Sequence, residues 1–386
     1  MKILQVHNKY KKRGGEETVV EQERNILIEH GHKVVQYIRD SSELDHMPKS
    51  ELIKTMFTQR RSRKVAEELK QLIESERPDV CHVHNVFPLI TPSVYYACKE
   101  LRVPVVQTVH NYKLLCTNSL LFRNGEVCEQ CVGHSLYRSI KYKCYRNSFL
   151  ATALTADALE YNRKKGIWKT FIDQYVCLTE FQKNKLVEGG LPADKITIKP
   201  NFTEASEHVS VYGEDILFIG RLDDSKGLQD LLFIVKEMSD VKFTIIGASD
   251  DPEIFKPFEN VNYPGQVSRE EVLSAIANCK AVIFPSKYYE GMPMVIIEAF
   301  SLHKSVIARD TGAMSSMIDH EVNGLKYATR AELKDSVERI SSDLPLAEKL
   351  GNGGYHSFLE KYSVQSAYTN LINLYETVLN GSSRIQ

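Results

Sequence analysis

Short apolar runs alternate with segments of helical spacing along the first half of the chain. The run KILQVH is followed by a glycine-rich loop at Gly14 and Gly15, and then by a stretch whose apolar residues recur at helical spacing until Gly31. Further strand-like runs (VVQYI, DVCHVHN, VPVVQTVH, YVCLT) are separated by helical stretches at 65–73 and 95–101. Strands that alternate with helices predict a parallel sheet with right-handed crossovers.

The same alternation restarts after residue 213, following a segment, 201–213, that has no periodicity. The runs DILFIGRL, KFTIIG, NVNYPG, AVIFPS and SVIAR are strand-like, and helices are predicted at 228–238, 269–279 and 295–302. The predicted fold class is therefore α/β, with two Rossmann-like, doubly wound domains in tandem. Ligands of such sheets bind beyond the carboxyl ends of the strands, which predicts a cleft where the two domains face each other.

The predicted domains are 1–200, 201–365 and a C-terminal helical segment 366–386, which we expect to pack back toward the N-terminal domain. Hydrophobic residues make up 42% of the 386 positions and charged residues 26%, which is typical of a globular protein and excludes a disordered or fibrous one. No signal-like apolar region and no run of about 18 apolar residues is present in the sequence, so a cytoplasmic location is predicted. The eight cysteines are then expected to be reduced.

Charge is distributed unevenly between the two halves. Residues 1–200 hold 32 Lys+Arg against 23 Asp+Glu, a net charge of +9, and the remainder carries −10. A basic half favours an anionic partner such as a phosphorylated substrate or a lipid surface, although a chance distribution of solvated charge explains it equally well.

A candidate phosphate site lies in FIGRLDDSKG. Gly220 and Arg221 directly follow a predicted strand, and Lys226 and Gly227 precede a predicted helix. Two cations, a glycine turn and a helix start suit a diphosphate because the backbone N–H groups and both charges converge. Two cations exposed on a surface loop are the alternative interpretation.

A second candidate segment is FPSKYYEGMPMVIIEAF, in which Glu290 and Glu298 are eight residues apart. Glu298 is assigned to a ribose diol and Glu290 to a sugar. Gly291 and Met292, with Pro293 at the predicted helix start, would offer backbone N–H groups to hydroxyls or phosphate. Taken alone, this segment is better explained by a helix-capping acid and a solvated one.

The order of these features resembles that of the retaining nucleotide-sugar glycosyltransferases of family four, which have the GT-B fold. The resemblance extends from MKILQVH to NGLKYA. It implies that the C-terminal domain binds a nucleoside-diphosphate sugar and that the N-terminal domain binds the acceptor. Arg221 and Lys226 would hold the donor diphosphate, Glu298 the ribose and Glu290 the transferred sugar.

The resemblance also assigns residues of the N-terminal half. Gly14 and Gly15 match the glycine loop that closes against the donor phosphates, and His110 in TVHNY matches the histidine that contacts the donor sugar. From the residues alone, His110 is equally interpretable as a core histidine with satisfied hydrogen bonds. Asn85 in CHVHN is a candidate for lining the cleft, whereas His82 and His84 share one strand face and are also interpretable as structural.

The resemblance implies a front-face reaction in which the leaving diphosphate deprotonates the acceptor hydroxyl. Arg221 and Lys226 would stabilise the charge of the leaving group, so no divalent metal or other cofactor is expected for catalysis.

Four cysteines depart from the general family pattern. Cys116, Cys128, Cys131 and Cys144 lie in the segment 112–147, and their composition fits a structural zinc site that would hold together a loop with little core. His134 could replace one ligand. The outer spacings match no standard zinc ribbon, so free thiols are a second interpretation. Disulfides are a third, because the predicted location is cytoplasmic.

Basic and aromatic residues interleave in LYRSIKYKCYRNS. Such a segment suits an anionic membrane surface or a lipid pyrophosphate, and a solvated basic face is the alternative. A second basic stretch lies within 55–70, and the overall pI of about 6.9 argues against nucleic acid. The residues concerned are Tyr137, Arg138, Lys141, Tyr142, Lys143, Tyr145 and Arg146, and in the second stretch Arg60, Arg61, Arg63 and Lys64.

Together these features predict a glycosyltransferase that moves a sugar from a UDP- or GDP-linked donor to a lipid-linked glycan. The product would be a cell-surface polysaccharide, namely capsule, exopolysaccharide or O-antigen. The enzyme is predicted to work in the cytoplasm at the inner face of the cell membrane. The alternatives are a non-catalytic paralogue that binds the nucleotide sugar and supports a partner transferase, and a GT-B hydrolase or epimerase of nucleotide sugars.

Overall fold

The computed structural model describes residues 1–11 and 14–382 and divides into two compact units. The first unit contains most of residues 1–199 and the C-terminal helix from Tyr368 onward. The second contains residues 200–367 and the short segment Phe122–Cys128. Within the described ranges, no helix has the length and apolar character needed to span a membrane.

Six parallel strands form the sheet of the first unit, and the residues of its four central strands are almost all buried, as expected for a parallel sheet covered on both faces. The strands of this part of the chain are β1 (Lys2–Lys9), β2 (Lys33–Asp40), β3 (Val80–Val83), β4 (Val105–Thr108), β5 (Phe122–Arg123), β6 (Glu126–Val127), β7 (Gln174–Cys177) and β8 (Ile196–Ile198). The sheet order is β2–β1–β3–β4–β7–β8, and β5 and β6 form a separate antiparallel hairpin.

Helices connect these strands, and side-chain caps begin several of them. Ser62, Ser148 and Thr179 each accept a hydrogen bond from a backbone N–H three residues later, which satisfies a donor that the first turn leaves open. The helices are α1 (Gly15–Glu29), α2 (Glu43–His46), α3 (Lys49–Phe57), α4 (Arg63–Glu76), α5 (Ser93–Glu100), α6 (Phe149–Lys164), α7 (Ile167–Thr170) and α8 (Glu180–Glu188).

The second unit repeats the plan with a different strand order. Its strands are β9 (Ile216–Ile219), β10 (Phe243–Ile246), β11 (Val261–Gly265), β12 (Ala281–Phe284), β13 (Ser305–Arg309) and β14 (Gly324–Tyr327). Its helices, and the C-terminal one, are α9 (Leu228–Glu237), α10 (Arg269–Asn278), α11 (Met294–Ser301), α12 (Gly312–Met317), α13 (Arg330–Ser342), α14 (Leu344–Ser357) and α15 (Val364–Ser382). The sheet order is β11–β10–β9–β12–β13–β14, and all neighbours are parallel.

Each sheet has one point at which the strand order reverses. In the first unit it lies between β1 and β3, and in the second between β9 and β12. A crevice opens beyond the carboxyl ends of the strands at such a point, because the following connections run to opposite faces. The segments that follow β3, β9 and β12 are those that carry Asn85, Gly220 and Glu290.

The C-terminal helix α15 belongs to the first unit from Tyr368 onward. The Tyr368 ring stacks on His30 with 3.7 Å between ring centroids, and its hydroxyl lies 3.1 Å from His32 Nε2. The hydroxyl of the buried Tyr375 lies 2.7 Å from Nδ1 of His82 on β3. Helix α15 therefore completes the core of the first unit.

The prediction of two tandem, doubly wound α/β domains is confirmed. The cysteine-rich segment 112–147, predicted to belong whole to the first domain, is divided between the two units, since Phe122–Cys128 lies in the second. This segment is a hairpin of two-residue strands around Asn124 and Gly125, both at positive φ. It has no core of its own, and its Phe122 ring packs edge-on against Tyr288 of the second unit.

Candidate functional site

The loop after β9 holds the first group of candidate residues. Asp223 Oδ1 accepts hydrogen bonds from the backbone N–H groups of Ser225 and Lys226, at 2.9 and 3.2 Å, and so shapes a turn of 3₁₀ helix before α9. Burial would raise the pKa of Asp223, but the Ser225 hydrogen bond and the Arg221 charge lower it. Arg221 lies 3.2 Å from Asp223 Oδ2 and its side chain is 71% exposed, so its guanidinium is accessible to a ligand.

Gly227 ends this turn in the left-handed region at φ 83°. A Cβ atom here would lie 2.1 Å from the carbonyl oxygen of Pro285. The residue must therefore be glycine, both for its backbone conformation and for its close approach to the segment after β12. This approach brings the Lys226 loop against the second candidate segment.

Lys226 and Glu290 meet directly, which links the two motifs that the sequence separates by 64 residues. Lys226 Nζ donates to Glu290 Oε1 at 2.7 Å, and the side chains are 19% and 9% exposed. Ser286 Oγ donates to the same oxygen at 2.8 Å, and Tyr288 Oη donates to Oε2 at 2.6 Å. Burial and the Glu290 charge raise the pKa of Tyr288, so its hydroxyl stays protonated as a donor. The carboxylate is thus fixed in one orientation.

Glu298 is almost fully buried on α11. Its Oε1 accepts from Arg269 Nη2 at 2.7 Å, and Arg269 is the first residue of α10. Its Oε2 is buried and has no hydrogen-bond partner among the described residues. A buried carboxylate oxygen without a donor is costly, which marks it as an atom that a ligand hydroxyl could satisfy.

The residues between these two acids form the loop that enters α11. Pro293 is the N-cap residue, and Met292 is buried with its Sδ 3.2 Å from the backbone nitrogen of Asn201. Gly291 lies beside Glu290 in the same loop. The predicted backbone contacts of Gly291, Met292 and Pro293 with a substrate stay predictions.

In the first unit, the glycine loop is organised by one carboxylate. Gly14 is the N-cap of α1 and Gly15 its first residue. Glu17 accepts from the backbone N–H of Gly14 at 2.8 Å and from that of Tyr10 at 2.9 Å. Burial would raise its pKa, but the His7 side chain and these N–H groups lower it to about 2. The start of α1 is therefore held in place whether or not a ligand is bound.

His110 lies just beyond the carboxyl end of β4. Its Nε2 is 3.0 Å from Nδ1 of His84, and the two rings stack. Burial lowers the pKa of His110 to about 3, so the ring is neutral near pH 7. His110 also lines a cavity of about 40 Å³, room for a few water molecules, together with Glu16, His84, Asn85 and Lys113.

Asn85 lines this cavity, but its amide already has partners in the protein. Nδ2 donates to the carbonyl oxygens of Asn8 and Phe87, at 2.8 and 3.1 Å, and Oδ1 accepts from the Phe87 N–H. These contacts tie the ends of β1 and β3 together. The predicted role in substrate binding stays a prediction, and the observed role of the side chain is to hold the loop.

Two family models cover most of the chain. Residues 205–357 match the model described as "Glycosyl transferases group 1", and residues 13–207 match "Glycosyltransferase Family 4". The chain belongs to glycosyltransferase family 4. The resemblance inferred from the motifs is thereby confirmed.

Individual relatives of this glycosyltransferase have low sequence identity to it, and the similarity covers half of the chain or more. An uncharacterized glycosyltransferase of Methanocaldococcus jannaschii is 25% identical over 80% of this chain and 78% of its own length. CapM of Staphylococcus aureus, a glycosyltransferase of capsular polysaccharide biosynthesis, is 24% identical over 50% of this chain and 54% of its own. The Anabaena protein HepE, solved in complex with UDP, superimposes with a TM-score of 0.66 at 14% identity over 98% of this chain and 100% of its own. That likeness supports the fold.

The cysteine prediction is not settled by the fold. Cys116 and Cys131 are buried, and Cys128 and Cys144 are partly buried. Among the described residues, the histidine, cysteine and acidic groups with three ligand atoms within 4.8 Å of one another are Glu23, His82 and His84, outside this segment. The structural zinc site stays a prediction.

Several residues that shape the transferase site were not identified from the sequence. Ser286 and Tyr288 contact Glu290 within the loop that follows β12, and Arg269 contacts Glu298 because α10 and α11 adjoin in the folded chain. Glu16, too, is not singled out by the motifs in the sequence. These four residues could have been found by their position, because each is an acid, a hydroxyl or an arginine at a strand end or a helix start.

Glu16 is the one of these that generates a pH-dependent prediction. Burial, followed by the charge of Glu17, raises its pKa from 4.5 to about 8. Because the folded state holds this proton more tightly than the unfolded state, its contribution to stability is complete at low pH and is lost as pH rises toward 8.

We expect Glu16→Gln to remove this loss. The melting temperature of the variant should rise relative to the wild type between about pH 5 and about pH 8.5, and the difference should level off above that range. Glu67→Gln, on the exposed face of α4, should show no such trend. A constant difference for Glu16→Gln across the range would contradict the raised pKa.

Proposed function

We propose that this family 4 member is a retaining hexosyltransferase. Its donor would be a UDP- or GDP-linked sugar, and its acceptor a lipid-linked glycan in the synthesis of a cell-surface polysaccharide such as capsule, exopolysaccharide or O-antigen. The observation that carries the proposal is the Lys226–Glu290 ion pair, because it joins a cationic, glycine-containing turn to a fixed carboxylate at the reversal point of the second sheet. UDP bound to HepE and the capsular role of CapM support the substrate classes.

In the proposed donor site, Arg221 and Lys226 hold the diphosphate. Arg221 is exposed and lies on the same turn as Lys226, so both cations can turn toward phosphate oxygens. The buried Oε2 of Glu298 accepts a hydrogen bond from a ribose hydroxyl, and Arg269 holds that carboxylate in place. Glu290 accepts from a hydroxyl of the transferred sugar.

The reaction we propose breaks the bond between the anomeric carbon and the diphosphate oxygen, and the electron pair leaves with the diphosphate. The acceptor oxygen bonds to the same face of the anomeric carbon, which retains its configuration. The acceptor's proton passes to the departing diphosphate, whose charge Arg221 and Lys226 stabilise. These cations supply the leaving-group stabilisation, so the proposal includes no divalent metal.

Replacement of Lys226 tests the catalytic proposal. We expect Lys226→Ala to lower turnover of the donor, assayed with lipid-extracted acceptors, by about 10²-fold or more, as removal of one charge-stabilising donor does in other enzymes. Glu290 retains its hydrogen bonds from Ser286 and Tyr288, so the melting temperature should change little.

The matched control is Lys242→Ala, which breaks an exposed ion pair with Glu214 in the same unit and should leave turnover unchanged. Near-normal turnover in folded Lys226→Ala would refute the assignment of this lysine to the leaving group.

Replacement of Glu298 tests the proposed donor binding separately from the transfer reaction. The wild type should bind UDP or GDP roughly 10- to 100-fold more tightly than the 2′,3′-dideoxy analogue, since a hydrogen bond to a charged group contributes about 1.5–3 kcal/mol. In Glu298→Gln this preference should shrink, and in Glu271→Gln, an exposed capping acid on α10, it should persist. Isothermal titration calorimetry measures all three. An undiminished preference in Glu298→Gln would rule out its contact with the ribose.

We further propose that the transferase works at an anionic membrane surface of the cytoplasm, through the segment 137–150 of the first unit. Arg138, Lys141, Lys143 and Arg146 are exposed there, and Phe149 and Leu150 at the start of α6 are 61% and 51% exposed. Cations beside exposed apolar side chains favour the headgroup region of an anionic bilayer. In the second basic stretch, Arg60 pairs with Asp157 and Arg61 stacks on Tyr96, so part of that charge serves packing.

Flotation with phospholipid vesicles tests this proposal. Phe149→Ser combined with Leu150→Ser should weaken binding to anionic vesicles at least about tenfold, because each partly buried apolar side chain contributes roughly 1 kcal/mol or more. Added salt should weaken binding of the wild type. Val209→Ser with Val211→Ser, which alters two exposed apolar residues of the second unit, is the control. Equal flotation of both double variants would contradict the assigned surface.

A further inference from the structure

Four polar side chains form a chain of contacts through the interior of the first unit: Lys199, Glu23, His84 and His110. Lys199 Nζ donates to Glu23 Oε1 at 2.6 Å. Glu23 Oε2 faces His84 Nε2 at 3.5 Å, and His84 Nδ1 lies 3.0 Å from His110 Nε2. Lys199, Glu23 and His84 are buried, and the chain ends at the cavity described above, which His84 and His110 both line.

Glu23 is the fixed charge of this chain. Burial alone would raise the pKa of its carboxyl, but the Lys199 charge and hydrogen bond lower it below the ordinary value. An ionised carboxylate only accepts hydrogen bonds. Whatever faces Glu23 Oε2 must therefore present a proton.

His84 is neutral, because burial and then the neighbouring His82 lower its pKa well below the ordinary value. A neutral imidazole carries one proton. If that proton were on Nδ1, the Nε2 lone pair would face the Glu23 carboxylate, and neither buried atom has a hydrogen-bond partner among the described residues. The other nitrogen near Glu23 Oε2, Nδ1 of His82, is farther away at 3.7 Å and already contacts the Tyr375 hydroxyl. A proton on Nε2 removes this repulsion, so Nδ1 is left as an acceptor.

The same reasoning passes to His110. Since His84 Nδ1 accepts, His110 Nε2 must donate across the 3.0 Å contact. The single proton of the neutral His110 ring is thereby used, and its Nδ1 is left as an acceptor. Such a nitrogen pairs with a hydroxyl and not with a phosphate or carboxylate oxygen.

Two other uses of this cluster fit less well. Glu23, His82 and His84 have ligand atoms close enough together for a metal ion, but the Lys199 ammonium already occupies the carboxylate and would repel a cation. His82 has a hydroxyl at 2.7 Å on each nitrogen, from Tyr375 and Thr108. Hydroxyls accommodate either tautomer, so His82 imposes no direction on the chain.

We propose that Glu23, paired with Lys199, acts through His84 as a positioning residue that fixes His110 as the Nε2–H tautomer, with Nδ1 offered to a hydroxyl of the ligand. The identity of that hydroxyl as one of a sugar substrate rests on the proposed function. The tautomer itself does not, because it follows from contacts within the first unit.

The test is the tautomer of His110 in the full-length protein with ¹⁵N-labelled histidine. Long-range ¹H–¹⁵N correlation spectra distinguish the two tautomers, and His110→Gln identifies the resonances. We expect the wild type at pH 7–8 to show His110 wholly as Nε2–H. A wild-type spectrum with the proton on Nδ1 would overturn the proposal without need of any variant.

Glu23→Gln with Lys199→Met removes the buried pair together, so that no unpaired charge is left inside. In this variant we expect His110 to lose its single tautomer and show a mixture. Tyr375→Phe is the control: it removes a buried hydrogen bond to His82 and should leave the His110 tautomer unchanged. An unchanged tautomer in the folded double variant would show that Glu23 does not set it.

These measurements need no donor or acceptor and so separate the two proposals. If the wild type transfers sugar but shows no single His110 tautomer, the positioning role is refuted and the transferase proposal is kept. If the protein shows the expected tautomer but turns over no nucleotide sugar, the transferase proposal is refuted and the positioning role of Glu23 is kept.

Discussion

Parallel strands place all their carboxyl ends at one edge of a sheet, and this constraint governs where chemistry occurs in both units. At the reversal point between β9 and β12, the outgoing loops must diverge, and the space between them is lined by whatever follows the strands. Arg221 and Glu290 are close to the ends of these strands for that reason. Gly227 then permits the two loops to touch, and the Lys226–Glu290 contact follows from that approach.

The acids of the two units differ in how completely they are satisfied. Glu23 is paired with Lys199 and aimed at His84, while both oxygens of Glu290 accept hydrogen bonds from the protein. Glu298 has a strong partner for one oxygen and none among the described residues for the other. Buried charges require partners, so the Glu298 oxygen that lacks one has capacity left for a ligand hydroxyl.

Sequence reasoning located the strands and helices that are strongly apolar, such as AVIF in β12 and SVIAR in β13, because a strand buried on both faces is apolar throughout. It missed short or weakly apolar elements such as β8 and β14, whose pairing depends on neighbours already in place. It found Lys226 and Glu298 through local motifs. Arg269 lies 29 residues from Glu298, and nothing in the local pattern indicates that they meet. Nothing in the local pattern singles out Glu23, although its side chain is wholly buried.

The first unit contains residues from both sides of the second unit in the sequence, because the C-terminal helix belongs to it from Tyr368 onward. Tyr375 packs against His82, yet it leaves the ribosome only after every strand of the second unit has been made. The part of the first-unit core that Tyr375 covers therefore stays uncovered during synthesis until the whole second unit has been translated. The core of the first unit is thus completed by a helix that is translated only after the second unit.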